Sequence, residues 1–250
     1  MPAIVKIQWT EKKDGWSADL FLVDEEGFFR KPLRPGRKME FELTDERRCT
    51  GFSEEIGIRE PCPEYREIDK GSQCFGCQRR GIYSDYVRGN RGMDTDRDFS
   101  VYLAQCGETV KVGVTRTEKV VRRWVEQGAD FGAEIFSGLS SDMALEKESE
   151  ISSDRNITER VRKEQKVVPA RENLLRDTLE REGFDAEVVD LREKTVYPPN
   201  NRTELRRKGL FSGRVRTVKG QLISNGRVSM AMTSGKVMKK PVQQGLGSFQ

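Results

Sequence analysis

Apolar and polar residues alternate with a period of two in the first part of the chain, the pattern of half-buried β-strands. Residues 4–10, 16–23 and 38–43 predict three strands, with Lys13-Asp14-Gly15 and Asp24-Glu25-Glu26-Gly27 supplying turn chemistry. Trp9, Trp16, Phe21, Phe28, Phe29 and Phe41 are the aromatic candidates for the core of this small antiparallel unit. Residues 101–104 and 110–115 repeat the strand pattern around a glycine-containing connection, which predicts a hairpin. Thr115-Arg116-Thr117-Glu118 then has the form of a capping box, and Val120, Val121, Trp124 and Val125 recur at helical spacing up to Gly128. A strand over 133–136 and a helix capped by Ser140, Ser141 or Asp142 and reaching Ile151 follow.

Further along, Pro169 reads as the first-turn proline of a helix that carries Leu174, Leu175, Thr178 and Leu179 and ends at Gly183. Strands are predicted over 186–191, 213–218, 221–224, 227–232 and 236–238, with turns at Lys219-Gly220-Gln221 and Asn225-Gly226. Residues 83–99 read as a connector, Tyr197-Pro198-Pro199 as a break, and 245–250 as a frayed end. The fold class is therefore α+β in three domains. Residues 1–99 form an antiparallel β domain with a four-cysteine knuckle, 100–165 a central αβ domain, and 166–250 a basic α+β domain.

Composition narrows the setting. With 35% hydrophobic and 34% charged residues, a chain of 250 residues describes a soluble, heavily solvated protein. The N-terminal stretch lacks the apolar core of a signal peptide and no apolar run is long enough to span a bilayer, so a cytoplasmic location is expected. Net charge of +4 conceals an asymmetry: residues 201–250 hold 11 Lys or Arg against the single acid Glu204, while the preceding 200 carry 34 basic and 40 acidic residues. A concentrated positive surface attracts phosphate backbones through counterion release, making nucleic acid, DNA or RNA, the expected partner. Arg214, Arg216 and Lys219 are the candidates for that contact, the bland alternative being a solvated basic tail.

Cys49, Cys62, Cys74 and Cys77 lie in a glycine- and proline-punctuated stretch. In a reducing compartment disulfides are a poor explanation, whereas Cys74-Phe75-Gly76-Cys77 lets two sulfurs approach one ion from a tight turn. Four thiolates suit one structural zinc; an iron–sulfur cluster with the same ligands and plain buried thiols are the alternatives. Cys106 lies in the predicted hairpin and is not counted among them.

The central unit, with V-Y at 101–102, K-V-G-V-T at 111–115 and R-R-W at 122–124, resembles the GIY-YIG nuclease superfamily in its strand, strand, helix order. Tyr102 falls on the tyrosine of the first half-motif and Gly113 on the glycine of the second, while Ser100 replaces the first glycine and Lys111 the second tyrosine. The resemblance implies that Arg123 is the catalytic arginine and that an acid on the next helix holds a divalent ion such as magnesium. A helical wheel selects Glu148, beside Ala144, Leu145 and Ile151, over Glu146 on the opposite side. Lys111 and Arg116 are expected to touch nucleic acid. The order of four cysteines, VYLA, KVGVT, RRW, YPP and VKGQ also resembles a conserved prokaryotic family with no established activity to lend.

Two functions follow as expectations. One is a metal-dependent phosphodiesterase in which Tyr102 activates water, Arg123 stabilises charge and Glu148 holds Mg²⁺. The other is a non-catalytic, zinc-containing nucleic-acid-binding protein, or an accessory factor of RNA modification or translation, with Lys111 marking lost chemistry.

Overall fold

Ile7, Trp9, Ala18, Leu20 and Leu22 point to one side of the first hairpin, Ala3–Lys12 (β1) paired with Gly15–Asp24 (β2), and all are buried. Gly27–Pro32 (β3) adds to the free side of β2, so Phe28 and Phe29, expected only as core residues, lie on a strand. A computed structural model describes residues 1–55, 57–81, 97–192 and 202–241. Most of the expected connector, Tyr197-Pro198-Pro199 and residues 245–250 lie outside these described residues.

The sheet begun by this hairpin has six strands, ordered β12, β4, β16, β1, β2, β3, where β4 is Lys38–Arg47, β12 is Gly209–Arg214 and β16 is Lys236–Lys239. Two strands of the expected C-terminal domain are thus built into the N-terminal sheet: β16 lies between β1 and β4, and Phe211 of β12 stacks on Phe41 at 5.1 Å. The three-part division does not coincide with the sheets. A hairpin of Phe52–Glu55 (β5) and Ile58–Glu60 (β6) and the short helix Phe75–Arg80 (α1) carry the cysteine segment.

The central sheet is ordered β10, β9, β7, β8. Phe99–Cys106 (β7) pairs antiparallel with both Thr109–Arg116 (β8) and Phe131–Leu139 (β9), and Val189–Asp190 (β10) is all that forms of the strand predicted over 186–191. Three helices pack on it: Val120–Gln127 (α2), Ser141–Asp154 (α3) and Leu174–Glu182 (α4). The predicted capping box does not form. Thr115 stays paired with Ser100 in the sheet, Thr117 turns its hydroxyl to Ser100 at 2.8 Å, and a 3₁₀ turn at Thr117–Lys119 leads into α2 without a side-chain cap. Ser140 does cap α3, accepting the Met143 amide at 3.3 Å.

Pro169 does not start a helix. The buried amide of Gln105 holds the segment before α4 in another shape, donating to the Arg171 carbonyl at 2.7 Å and accepting the Leu175 amide at 3.1 Å. The last sheet, ordered β11, β15, β14, β13, consists of Glu204–Arg206 (β11), Val228–Ala231 (β15), Leu222–Ser224 (β14) and Thr217–Lys219 (β13). It is not wholly antiparallel, because β11 runs parallel to β15, and the strand predicted over 213–218 is split between β12 and β13, which belong to different sheets. One core cluster runs through all of these parts, joining Ile7, Trp9 and Leu20 to Tyr102, Trp124, Val218, Ile223 and Met230. A second lies beneath α3 and α4. No helix among the described residues is long and apolar enough to cross a membrane.

Candidate functional site

The four cysteines come together. Cys49 follows β4, Cys62 follows β6, and Cys74 and Cys77 stand at the start of α1, where the turn brings two sulfurs round to the others. Their Sγ atoms lie within 4.8 Å of one another, and Cys62 and Cys74 are 4.0 Å apart. Tetrahedral zinc at about 2.3 Å from each sulfur places neighbouring sulfurs about 3.8 Å apart, so the arrangement fits a closed four-thiolate site. The loops around it are tied down: Arg59 donates to the Thr50 carbonyl at 3.0 Å and Gln73 to that of Gly51 at 2.7 Å. Gly51 has φ +80°, and a Cβ there would meet the Glu60 carbonyl oxygen at 1.9 Å, so the fold requires glycine. Burial pushes the Cys49 thiol up to about 11 and raises Cys77 as well. Burial also acts to raise Cys62, but hydrogen bonds from the Arg66 and Glu64 amides outweigh it and lower that thiol; a cation bound by the four sulfurs would displace their protons.

The second constellation lies on the central sheet. Tyr102 of β7 faces Gly113 of β8, and a Cβ on Gly113 would come within 2.5 Å of the Tyr102 hydroxyl, which explains why the register needs glycine opposite this tyrosine. The Tyr102 hydroxyl donates to Gln127 Oε1 of α2 at 3.2 Å, and its ring meets Trp124 edge-on. Burial raises the Tyr102 pKa; Arg123 of α2 acts in the opposite direction, and Glu148 of α3 adds to the rise. Lys111 of β8 lies 5.8 Å from the centre of the Tyr102 ring and donates to the Glu159 carbonyl at 2.8 Å. Burial lowers its pKa, with Glu148 opposing and Arg123 reinforcing that shift.

On α3 the buried positions are Ser141, Ala144 and Ile151, and Glu148 continues this stripe as its half-buried acid. Leu145, expected on the packing face, is exposed, because the stripe runs one position to the side of it. Burial, then Glu159, raises the Glu148 pKa, while Lys111, the Val114 amide and Arg123 pull it down. Tyr102, Lys111, Arg123 and Glu148 therefore form one electrostatically coupled group. Glu146 is exposed.

Sequence reasoning missed the segment that closes this group. Residues near Thr158 run beside the free edge of β8, with the Val112 amide donating to the Thr158 carbonyl at 3.0 Å, and this brings in Glu159 and Lys166. Lys166 is half-buried, and burial lowers its pKa near Cys106, Lys219 and Arg123. Nothing in the periodicity of 155–168 announces it. Only its run of cations was available as a signal.

The expected nucleic-acid contacts are scattered. Arg116 ends β8 opposite Phe99, Arg214 is exposed and donates to the Gly36 carbonyl at 2.9 Å, and Arg216 is exposed. Lys219 is a correction: its ammonium is 2.7 Å from Asp130, both side chains about nine-tenths buried, so it is an internal ion pair rather than part of a basic surface. Its neighbours in VKGQ are also structural. The Gly220 carbonyl accepts the Trp9 indole N–H at 3.0 Å, and Gln221 pairs with the Ile7 backbone through both amide atoms.

Fold and sites together define an α+β protein with a buried four-cysteine, metal-type centre and a separate coupled group of tyrosine, lysine, arginine and glutamate. The sequence matches, over residues 36–228, the family model described as protein of unknown function (DUF2797), and the chain belongs to this family. Neither curated proteins nor solved structures gave a match.

Proposed function

We propose that the protein binds nucleic acid and that its central unit is a metal-dependent phosphodiesterase similar to the GIY-YIG nucleases. The observation that supports this most is the convergence of Tyr102, Lys111, Arg123 and Glu148 from β7, β8, α2 and α3. Glu159 adds to the rise that burial imposes on Glu148, and a hard divalent cation relieves such a carboxylate; magnesium typically takes one or two carboxylates together with substrate phosphate. When bound, the ion would supply positive charge at the scissile phosphate. Glu148 and Glu159 are the residues that would hold it. Arg123, exposed at the edge of α2, is placed to meet the phosphate oxygens and stabilise the charge that grows as water adds to phosphorus and the bond to the leaving oxygen breaks. Tyr102, as the resemblance has it, takes the proton of that water. The four cysteines hold zinc in a structural role.

One observation favours the second reading, a binding protein that has lost the chemistry. Tyr102 is 1% exposed and Lys111 8% exposed, with the lysine already donating to the Glu159 carbonyl, so both stand behind the surface that a substrate would reach. Incubation of the purified protein with labelled DNA and RNA in Mg²⁺, Mn²⁺ or chelator separates the two. A phosphodiesterase cleaves in metal only, and Glu148→Gln abolishes cleavage with binding retained, while Glu146→Gln leaves it intact. Binding without cleavage under every metal condition supports the second reading.

A further inference from the structure

A groove of about 650 Å³ lies where the chain begins, beside the start of β4 and the end of β16. Met1, Met39 and Met238, three of the chain's seven methionines, line it together with Phe41. Phe41 and Met238 are 3% and 6% exposed and form its floor, Met39 is half-buried, and Met1 is exposed. The walls are tied together: the Met238 amide donates to the Pro2 carbonyl at 2.9 Å and the Tyr65 hydroxyl to the Met1 carbonyl at 2.7 Å.

Around this apolar floor stand Lys31, Arg37, Lys38, Lys239 and Lys240, with Glu40 the one lining carboxylate among the described residues. Lys239 pairs with Glu46 and Arg37 donates to the Pro32 carbonyl at 3.0 Å; the other three lysines still outnumber Glu40. Arg214 of β12 stands directly opposite Lys38 of β4, and like charges facing each other across two strands are unfavourable. An anion held here offsets that repulsion. The apolar part decides which anion. The one lining ring, Phe41, is nearly buried and already stacked on Phe211, so it offers no face to a base. Methionine side chains are unbranched and polarizable and adapt to a flexible chain, and lysine stems lengthen such a wall while their heads stay in water. The volume falls within the roughly 300–1,000 Å³ of pockets that enclose small molecules.

We propose that this groove binds a long-chain carboxylate, a single-chain anionic amphiphile, with its head on Lys38 and Lys240 and its chain along the three methionines. The site is independent of the nucleic-acid reading and lies on a different sheet from Tyr102.

The test is titration calorimetry of the full chain with octanoate, decanoate and dodecanoate below their micelle concentrations. Each lengthening by two methylenes is expected to tighten binding about tenfold. Decyltrimethylammonium, with a matching chain and the opposite charge, should bind about tenfold more weakly than decanoate. The double substitution Lys38→Gln, Lys240→Gln changes two exposed side chains, so its thermal unfolding should match that of the parent, while its affinity for decanoate should fall about tenfold. Absence of decanoate binding overturns the inference, and so does an affinity that ignores chain length, which would leave a surface anion site only. Equal binding of decanoate and decyltrimethylammonium, or a folded double variant with parental affinity, also overturns it. A parent that ignores decanoate, with a double variant that loses oligonucleotide binding, would assign these lysines to a phosphate backbone instead.

Discussion

Lys219 and Asp130, 89 residues apart, share an enclosed ion pair in which the ammonium is 2.7 Å from the carboxylate, while the same carboxylate accepts the Gly107 amide at 2.8 Å. Through Asp130, the end of β13 is therefore tied to the hairpin of β7 and β8. Removing one partner leaves the other charge buried without compensation. Asp130→Ala should lower stability by about 3 kcal/mol or more in denaturant unfolding. A loss below about 1 kcal/mol would place the pair in effective contact with water.

The close approach of Gly113 to Tyr102 makes a sharper probe than deletion of the hydroxyl. The Tyr102 ring is enclosed by Trp124 and Gln127 and cannot move aside. Gly113→Ala is expected to cost about 1–3 kcal/mol through overpacking and to displace the hydroxyl. In the phosphodiesterase reading, cleavage falls more steeply than the folded fraction at the same temperature. Equal losses in both would show that the tyrosine acts through stability alone.

Acid should loosen the junction of β4 with the C-terminal strands. Hydrogen bonds from Lys208 and then Lys236 hold the Asp45 carboxyl down to about 2, from an ordinary value of 3.8. Between these values the unfolded chain binds the proton more readily, so the contribution of Asp45 is complete above about 3.8 and is lost as the pH falls towards 2. Unfolding midpoints of the parent and Asp45→Asn should therefore differ at pH 5 and converge near pH 2. A difference that persists in acid would assign the effect to packing.

One metal ion per chain is expected by elemental analysis, zinc in the proposal, and it should leave with a strong chelator. Hydrogen exchange should then rise in residues 49–81, which have only a small apolar cluster of their own, with much less change in β7 and β9. A Cys74→Ser variant that keeps full metal content would remove Cys74 from the ligand set.

Among the basic residues, position decides which affect binding. Neutralising exposed Arg214 and Arg216 should flatten the salt dependence of nucleic-acid binding if this face makes contact, whereas Lys219→Met should reduce stability and leave the slope unaltered. A slope that changes with Lys219 but not with the two arginines would reverse this assignment.

The N-terminal hairpin and the β7–β8 pair were legible because a period of two and a glycine turn are local signals, and Ala144, Glu148 and Ile151 were legible as a helical stripe. The cysteine cluster was legible through the Cys74–Cys77 spacing. What escaped depended on partners distant in sequence. Gln105, a polar residue in a strand, decides where α4 begins by bonding Arg171 and Leu175. The basic count of residues 201–250 hid the fact that Lys219 has its carboxylate in the bend before β9 and that Lys236 reaches Asp45 at 2.9 Å. Charge totals carry no record of such pairings.

The position of β16 has a consequence for synthesis. Val237 pairs with Ala3, while Lys236 and Met238 pair with Arg47 and Leu43, so this short strand joins two pieces made long before it. A nascent chain that has not yet released residues 236–239 holds β1 and β4 as separate open edges, each a template for pairing with a second molecule. Closure then has to wait for a contact spanning nearly the whole described chain, the kind of non-local pairing that slows folding.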